Sequence, residues 1–214
     1  MTVLITGANR GIGNALYAKF SERGEEVLGT ARDAHGFLSL DVSDPKSLHA
    51  LARKIEGKPL DLLICNAGVY LDKGQSLADG YPPQMWANMF AVNVTGVFLT
   101  VQAMLANLQL AKGAKVAIIS SQMASSELAP GGSYIYRASK AAALNLGRNL
   151  AADLSGLGIA VGIYHPGWVR TDMGGSAAAI AVEDSAAGLV QRFDALSLET
   201  TGCFETFDGK AHPY

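Results

Sequence analysis

A tyrosine and a lysine lie four residues apart in the segment YIYRASKAAALN, residues 134 to 145. If this segment is helical, Tyr136 and Lys140 extend from one face, one turn apart, whereas Tyr134 points elsewhere. A phenol with an ordinary pKa of about 10 is poorly matched to proton transfer at neutral pH, and a neighbouring ammonium group lowers that pKa. The pair therefore predicts acid–base chemistry by Tyr136, tuned by Lys140. The segment is also typical of an ordinary helix start, because alanine and lysine are good helix formers.

A glycine-rich turn, TGANRGIG at residues 6 to 13, is the second candidate, with glycines at positions 7, 11 and 13. It joins a predicted strand to a predicted helix, where free backbone N–H groups and the helix dipole favour a phosphate. Its spacing differs from the common dinucleotide fingerprint, and the lysine of a Walker A loop is missing. We interpret it as a pyrophosphate-binding loop; the alternative is a tight turn that needs glycine only for positive φ.

The elements that must position these residues alternate between short apolar runs and longer helical patterns, which is typical of βαβ units. The pattern predicts an α/β fold of the Rossmann type, with a doubly wound, mostly parallel sheet and helices on both faces, as a single domain over residues 1 to 214. Strands are predicted at residues 3–6, 26–31, 37–42, 61–68, 115–120, 159–167 and 203–207, and helices at 14–24, 83–110 and 136–154.

Two segments do not follow the simple pattern. Only four residues separate Arg32 from Phe37, although parallel neighbours normally need a crossover of about a dozen residues. Either the third strand is reached by a tight loop without a helix, or it is wrongly assigned. The stretch GGSAAAIAVEDSAAG, residues 174 to 188, is rich in glycine and alanine and is predicted to be a mobile lid.

Composition narrows the classes of function. The 214 residues are 49% hydrophobic and 17% charged with a net charge of -2, which argues for an ordered globule and against a nucleic-acid partner. The two cysteines, Cys65 and Cys203, cannot form a disulfide framework. Uninterrupted apolar runs fall short of the roughly 20 residues of a membrane span, and no signal-peptide pattern precedes the first strand. We expect a reduced, cytoplasmic protein without a membrane partner.

Six motifs in order resemble the short-chain dehydrogenase/reductase family. They are TGANRGIG at 6 to 13, NAG at 66 to 68, VNVTG around Asn93, the serines 120 and 121, YRASK with Tyr136 and Lys140, and PGWVRT at 166 to 171. The stretches GGSYIYRASKAAALN and HPGWVRTDMGG resemble a small carbonyl-reductase-like branch that includes C-factor-type signalling proteins. Because the motifs run from the start of the chain to Thr171, the resemblance implies the Rossmann-type fold and a nicotinamide cofactor.

The resemblance implies four catalytic residues, Asn93, Ser121, Tyr136 and Lys140. Ser121 would hold the substrate oxygen, with Ser120 as the alternative. Asn93 would interrupt its helix and help to hold a water that passes protons to Lys140. The interval of 15 residues between Ser121 and Tyr136 is about two longer than in many members, which leaves substrate preference open. His165, a lone histidine at a strand end, is expected to be structural.

The family's cofactor positions imply a preference for NADP(H) over NAD(H). Arg10 and Arg32 match positions where NADP-binding members carry basic residues, and guanidinium groups bind phosphate in a bidentate way; Asp33 beside Arg32 weakens this argument. Asp41 would contact the adenine, or else form a turn or helix N-cap. No metal site is expected. The implied cofactor contacts are Gly7, Asn9, Arg10, Gly11, Ile12, Gly13, Arg32, Asp41, Val42, Asn66, Ala67, Gly68, Tyr136, Lys140, Pro166, Gly167, Val169 and Thr171.

The sequence thus predicts an oxidoreductase acting on a small or moderately hydrophobic carbonyl or alcohol. The alternative is a dinucleotide-binding regulatory or signalling protein with little turnover. The family also implies a possible homodimer through the helices at 83–110 and 136–154. An apolar substrate pocket could be lined by Tyr70, Met123, Leu128, Trp168 and Met173, which are equally suited to a core.

Overall fold

The computed structural model describes residues 1 to 33 and 35 to 214, and its centre is a seven-stranded sheet in the order β3-β2-β1-β4-β5-β6-β7. Every neighbouring pair in this sheet is parallel, which confirms the predicted doubly wound fold. The strands are β1 (Thr2–Ile5), β2 (Glu26–Ala31), β3 (Leu38–Ser39), β4 (Leu62–Cys65), β5 (Lys115–Ile119), β6 (Ala160–His165) and β7 (Phe204–Thr206).

Helices cover both faces of the sheet, because alternate residues of the central strands are apolar on both sides. Leu63 and Cys65 pack on one face with α2 (Pro45–Lys54), α4 (Gly96–Leu110) and α5 (Tyr134–Ser155). Leu62 and Ile64 pack on the other face with α1 (Gly11–Glu22) and α6 (Val182–Ala195). Each apolar cluster holds its helices against one face of the sheet, and this positions them relative to the carboxyl ends of the strands.

The third strand is present, so the first of the two alternatives is correct: β3 follows β2 after a short connection. It pairs with β2 in the register Thr30 to Leu38 and Ala31 to Ser39. It covers Leu38–Ser39 and not the predicted residues 37–42, because β2 ends at Ala31 and pairs with no residue beyond Ser39. The helix missing from this connection follows β3 instead: α2 begins behind Asp44, whose side chain accepts a hydrogen bond from Lys46 N at 2.9 Å.

The predicted helix at 83–110 consists of α3 (Pro83–Phe90), a π-helical turn (Ala91–Thr95) and α4. This run is long and apolar enough to cross a bilayer by length and composition alone. Its residues Val97, Val101 and Leu108 are instead buried against the sheet and α2. The face of α4 that carries these residues therefore belongs to the core of the fold.

The prediction of a mobile lid at 174–188 is wrong for its second half. Residues from Val182 onward form α6, and Ala186, Leu189 and Phe193 are buried against α1 and the sheet. Glu183 and Asp184 occupy the first turn of α6, where acidic side chains favour the helix dipole. These acidic residues were the helix signal in a stretch whose alanines and glycines suggested a loop.

Candidate active site

The site lies where the strand order reverses, at the carboxyl ends of β1 and β4, which is the usual ligand crevice of an open parallel sheet. The glycine loop follows β1 and the segment NAG follows β4. Gly7 has φ of +68°, and a Cβ there would lie 3.2 Å from Ala67 Cα. A Cβ on Gly13 would lie 2.1 Å from the Gly7 carbonyl oxygen. The two loops therefore touch, and only glycine permits this packing.

Asn66 fastens the two loops together. Its Nδ2 donates hydrogen bonds to the carbonyl oxygens of Thr6 at 3.0 Å and Gly7 at 3.1 Å. The Thr6 hydroxyl accepts in turn from the backbone N–H groups of Asn66 and Ala67, both at 3.0 Å. Asn66 thus fixes the backbone of the glycine loop against the loop after β4.

The glycine loop fits the pyrophosphate of a dinucleotide. Helix α1 begins at Gly11 directly behind the loop, and its N-cap residue, Arg10, is extended and makes no side-chain cap. The first-turn N–H groups of α1 are consequently left to an external acceptor, and the helix dipole favours an anion there. Gly11 has φ of +53° and faces Thr171, to whose Cγ2 a Cβ would lie 3.4 Å away. The start of α1 therefore lies close to the segment around Thr171, and a side chain at position 11 would touch that segment.

Helix α5 carries Tyr136 and Lys140 at the other end of the crevice, one helical turn apart as predicted. Both side chains are buried. Lys140 Nζ lies 5.7 Å from the centre of the Tyr136 ring and donates a hydrogen bond to the Ile119 carbonyl oxygen at 2.9 Å. Tyr134 points away and packs edge-on against Tyr81, with ring centres 5.2 Å apart.

Burial sets the acid–base properties of this pair. It raises the pKa of the Tyr136 phenol to about 12, while the hydrogen bond with the Ser121 side chain acts in the opposite direction. Burial lowers the pKa of the Lys140 ammonium to about 8. The pKa of Tyr136 is therefore higher than that of a free phenol, and the chain by itself does not produce the lowering that the sequence suggested.

Asn93 lies inside the π-helical turn, so the helix is interrupted at the residue where the sequence predicted it. Its side chain is buried and bridges two elements. Oδ1 accepts from Val69 N at 2.9 Å, and Nδ2 donates to Val69 O at 2.9 Å and to Ser139 Oγ at 3.0 Å. Asn93 thereby joins the end of β4 to α5. A Cβ on Gly68 would lie 3.4 Å from Asn93 Oδ1 and 3.5 Å from Lys140 Nζ, so both groups face the same glycine.

The two serines after β5 have different surroundings. Ser120 Oγ donates to the Lys140 carbonyl oxygen at 3.1 Å and ties β5 to α5. Ser121 Oγ accepts from Met123 N at 3.1 Å, at the start of a short 3-10 turn, and the Ser121 side chain opposes the rise that burial causes in the pKa of Tyr136. Ser121, and not Ser120, is therefore the serine whose side chain acts on the Tyr136 phenol.

A cleft of about 350 Å³ opens in front of Tyr136. Leu128, which the sequence suggested for this pocket, is not one of its lining residues among the described part of the chain. His165 reaches the cleft with the pKa of its imidazole lowered to about 4 by burial, so the ring is neutral. Apart from the serines, His165 and Tyr136, the lining comprises Ile12, Tyr70, Lys73, Gln122, Met123, Pro166, Gly167, Trp168, Val169, Thr171, Met173 and Gly174.

The segment after β6 folds over this cleft and is fastened at several points. Val169 pairs with Ile180, and Trp168 Nε1 donates to the Gly174 carbonyl oxygen at 3.0 Å. The exposed ion pair between Arg10 Nη1 and Asp172 Oδ2, at 3.2 Å, connects the segment to the glycine loop. The glycine loop and the segment after β6, which both carry predicted cofactor contacts, are thus brought together.

The predicted adenine-side residues lie at the ends of β2 and β3. Arg32 is exposed directly after β2, and its charge contributes to lowering the pKa of the Asp41 carboxyl. The main cause of that lower pKa is a hydrogen bond from the Ser43 hydroxyl at 2.6 Å. Asp41 therefore forms a local turn, and Asp44 provides the helix cap. Val42 is buried, and Asn9 is exposed in the glycine loop.

Sequence reasoning did not name Lys73, Gln122 and Gly174, which line the cleft, or Asp72 beside it, and it gave Tyr70 only a pocket role. Asp72 is fully buried and contacts the start of α5. Its signal was a carboxylate shortly after a buried strand, which by itself is equally typical of a surface loop.

Comparisons with known proteins point the same way as the geometry. A family model described as short chain dehydrogenase matches residues 1 to 180. A 1-hydroxy-2-glutathionyl-2-methyl-3-butene dehydrogenase from Rhodococcus sp. (strain AD45) is 36% identical over 225 aligned positions, which cover 97% of each chain. The C-signal protein of Myxococcus xanthus is 36% identical over 168 positions, covering 78% of this chain and 100% of that protein.

A solved structure agrees over the whole fold. The NADPH-bound carbonyl reductase from chicken fatty liver is similar with a TM-score of 0.90 and 28% sequence identity, covering 100% of this chain and 98% of that one. The agreement therefore includes the glycine loop, α5 and the segment after β6.

Proposed function

The chain belongs to the short-chain dehydrogenase/reductase family of oxidoreductases, and from this premise we propose that it is an NADP(H)-dependent carbonyl reductase. The observation that carries the proposal is that Ser121 and Tyr136 line one cleft beside the glycine loop, with the buried Lys140 Nζ 5.7 Å from the centre of the Tyr136 ring. When bound, the nicotinamide supplies the hydride and, once oxidised, a positive charge beside the phenol.

In the direction of reduction, Tyr136 donates its phenolic proton to the substrate oxygen as the carbonyl carbon accepts the hydride. The Ser121 hydroxyl donates a hydrogen bond to the same oxygen and stabilises the developing negative charge. A phenol with its pKa raised to about 12 is fully protonated at neutral pH and ready to donate. Tyr136 and Ser121 are themselves buried, and the low dielectric constant there strengthens both interactions.

Lys140 makes the phenolate accessible. Lowering the pKa of Tyr136 from about 12 toward neutrality corresponds to roughly 7 kcal/mol of differential stabilisation, at 1.36 kcal/mol per unit. The ammonium of Lys140 supplies part of this in a site of low dielectric constant. By resemblance to the family, the lysine would also hold the nicotinamide ribose. By the same resemblance, Asn93 would help to hold a water that passes protons to Lys140.

We assign NADP(H) as the preferred cofactor. Support comes from the exposed guanidinium of Arg32 at the end of β2, where the 2′-phosphate would lie, and from the NADPH bound to the similar chicken reductase. Arg10 is close enough to the segment after β6 to pair with Asp172, so we give Arg32 the larger share of phosphate binding.

The substrate class follows from the cleft. Met123, Trp168, Met173 and Tyr70 offer an apolar surface, and Ser121 with Tyr136 provides the polar end. We propose small to moderately hydrophobic aldehydes and ketones, or the corresponding alcohols. The test is a panel of aliphatic, aromatic and quinone carbonyls with NADPH and with NADH, followed by the loss of absorbance of the reduced cofactor. Turnover with NADPH supports the proposal, and absence of turnover across the panel contradicts it.

The similarity to the C-signal protein favours a second candidate, a dinucleotide-binding signalling protein with little turnover. This alternative predicts cofactor binding without catalysis. An enzyme needs Asn93, Ser121, Tyr136 and Lys140 together, whereas a sensor does not. Tight NADPH binding by a protein that turns over no carbonyl would favour the second candidate.

We also propose a homodimer through α3, α4 and α5. Trp86 on α3 and Phe98 on α4 are large apolar side chains with more than a third of their surface exposed. Light scattering coupled to size-exclusion chromatography measures the oligomeric state. A dimer that Phe98→Glu converts to a monomer supports the proposal, and a monomeric wild type contradicts it.

A further inference from the structure

A short segment after β4 encloses the start of the catalytic helix. The ring of Tyr70 stacks on the ring of Tyr136, with centres 4.2 Å apart and planes inclined by 22°. The Tyr70 hydroxyl is hydrogen-bonded to Ser133 Oγ at 2.5 Å. The position of the Tyr136 ring is therefore fixed by a residue that is not on its own helix.

Asp72 in the same segment provides the cap that α5 lacks. Ser133, the N-cap residue, has φ of 47° and ψ of 47°, a left-handed conformation in which its side chain makes no cap. Asp72 Oδ2 instead accepts from the backbone N–H groups of Ile135 at 2.8 Å and Tyr136 at 3.2 Å. A carboxylate at this position also interacts favourably with the helix dipole. The first turn of α5 is thus held through the backbone of Tyr136 itself.

The other oxygen of Asp72 is unusual. The residue is 0% exposed, and Oδ1 has no hydrogen-bond partner among the described residues. A buried carboxylate with a free oxygen destabilises a fold. An asparagine could accept the same two N–H groups without a negative charge, so capping alone does not explain an aspartate here.

We propose that Asp72 is a positioning residue for the proton donor: it fixes the start of α5 and places a negative charge beside Tyr136. The proposal rests on the proposed function, because it concerns the reaction that Tyr136 performs. Tyr70 and Asp72 hold the ring and the backbone of one residue from the same loop. A displacement of about 1 Å at a reacting group is enough to cost roughly a hundredfold in rate.

The negative charge of Asp72 makes a second contribution, to the protonation of Tyr136, which can be measured separately from the capping of α5. The titratable groups around Tyr136 are Tyr70, Asp72 and Lys73 from the loop after β4, His165 at the end of β6, and Lys140 from its own helix. The negative charge of Asp72 favours the protonated phenol, whereas the Lys140 ammonium favours the phenolate. Asp72 therefore adds to the effect of burial, which is the main cause of the raised pKa of Tyr136.

The test compares Asp72→Ala, which removes cap and charge, with Asp72→Asn, which keeps an accepting oxygen and removes only the charge. Asp44→Ala is the control, since Asp44 also caps a helix, α2, but is exposed and lies outside the cleft. Each variant is assayed for kcat at saturating NADPH, for NADPH affinity by fluorescence, for the pH profile of kcat and for thermal unfolding.

We expect Asp72→Ala to lose at least about tenfold in kcat with NADPH affinity within about twofold. Asp72→Asn should recover most of kcat, and the limb of its pH profile that reports Tyr136 should move down by at least about half a unit. Asp44→Ala should lower the unfolding temperature and leave kcat and the pH profile unchanged. An Asp72→Ala variant that loses stability like Asp44→Ala, with unaltered kcat and pH profile, would overturn the proposal.

Amide hydrogen exchange separates this proposal from the proposed function. Wild-type protein without turnover on any carbonyl contradicts the carbonyl reductase but not the contact between Asp72 and α5. Faster exchange of the Ile135 and Tyr136 amides in Asp72→Ala, with no change in Asp44→Ala, supports the positioning role. Unchanged exchange at both amides overturns it whether or not the protein turns over.

Discussion

Lys140 Nζ lies 5.7 Å from the centre of the Tyr136 ring and is held there by a hydrogen bond to the Ile119 carbonyl oxygen. The lysine is buried, and burial lowers its pKa to about 8. The cation that tunes the phenol is therefore kept at a cost to stability, as is common at functional sites.

This cost predicts a pH dependence of stability. Because the folded pKa of Lys140 is about 8 and lies below the ordinary value of 10.5, the unfolded chain binds more protons between these values, and the fold gains stability as the pH rises through them. Lys140→Met removes this gain. Relative to the variant, the wild type should gain up to about 3 kcal/mol of unfolding free energy between pH 7 and pH 10. Urea unfolding at both pH values measures it, and parallel pH dependences would contradict the assignment.

Substitutions of the two serines after β5 should have different effects on kcat and on stability. Ser121→Ala removes the hydroxyl that holds the substrate oxygen, and we expect kcat to fall by about a hundredfold with the fold intact. Ser120→Ala removes a hydrogen bond to the Lys140 carbonyl oxygen and should cost about 1 kcal/mol of stability with a much smaller loss of kcat. Steady-state kinetics and urea unfolding of both variants test the order. A larger loss of kcat in Ser120→Ala would reverse the assignment.

Asn93 has a natural control further along the same helical run. Asn107 is also buried, and its Nδ2 donates to the carbonyl oxygens of Ile55 at 2.7 Å and Lys58 at 2.8 Å, away from the cleft. Asn93→Ala and Asn107→Ala should each destabilise the fold by about 1–3 kcal/mol, because buried partners lose their hydrogen bonds.

Only Asn93→Ala should also lose kcat by about tenfold or more when both are assayed well below their unfolding temperatures. Equal retention of kcat in the two variants would limit Asn93 to a structural role.

Cofactor preference is tested at Arg32. We expect Arg32→Ala to weaken NADPH by about tenfold or more, which corresponds to about 1.4 kcal/mol. NADH lacks the 2′-phosphate, so its affinity should change by less than about twofold. Arg53→Ala, at an exposed arginine near the end of α2, is the control and should alter neither. Titration of cofactor fluorescence gives both affinities, and equal losses for NADPH and NADH would remove the argument from the 2′-phosphate.

Sequence patterns predicted most of the sheet because each central strand is a continuous apolar run, buried on both faces. The order of motifs also placed Tyr136, Lys140 and Asn93 on the correct elements. Helix α2 was missed although its signals are present: Asp44 caps it, Pro45 occupies its first position, and Leu48 and Leu51 lie three residues apart on its buried face. The connection between β2 and β3 is too short for a helix, so α2 lies in the next connection, between β3 and β4.

The capping of α5 was beyond reach for a different reason. A local sequence signal would place the cap at Ser133, which is left-handed here. The acceptor comes from Asp72, 63 residues away from Ile135 in the chain, and such a contact exists only once the sheet has brought β4 and α5 together. The raised pKa of Tyr136 likewise depends on burial that no spacing in the sequence reveals.

The central claim is that Tyr136 donates the proton, and the most direct measurement is the rate of NADPH oxidation by Tyr136→Phe with the best carbonyl of the panel. Tyr134→Phe is the matched control, because Tyr134 is partly exposed, packs against Tyr81 and lies on the same first turn of α5. Tyr136→Phe should lose at least about a thousandfold in kcat while it binds NADPH within about twofold of the wild type, and Tyr134→Phe should retain its activity. Carbonyl reduction by Tyr136→Phe at a rate near that of the wild type would contradict the account.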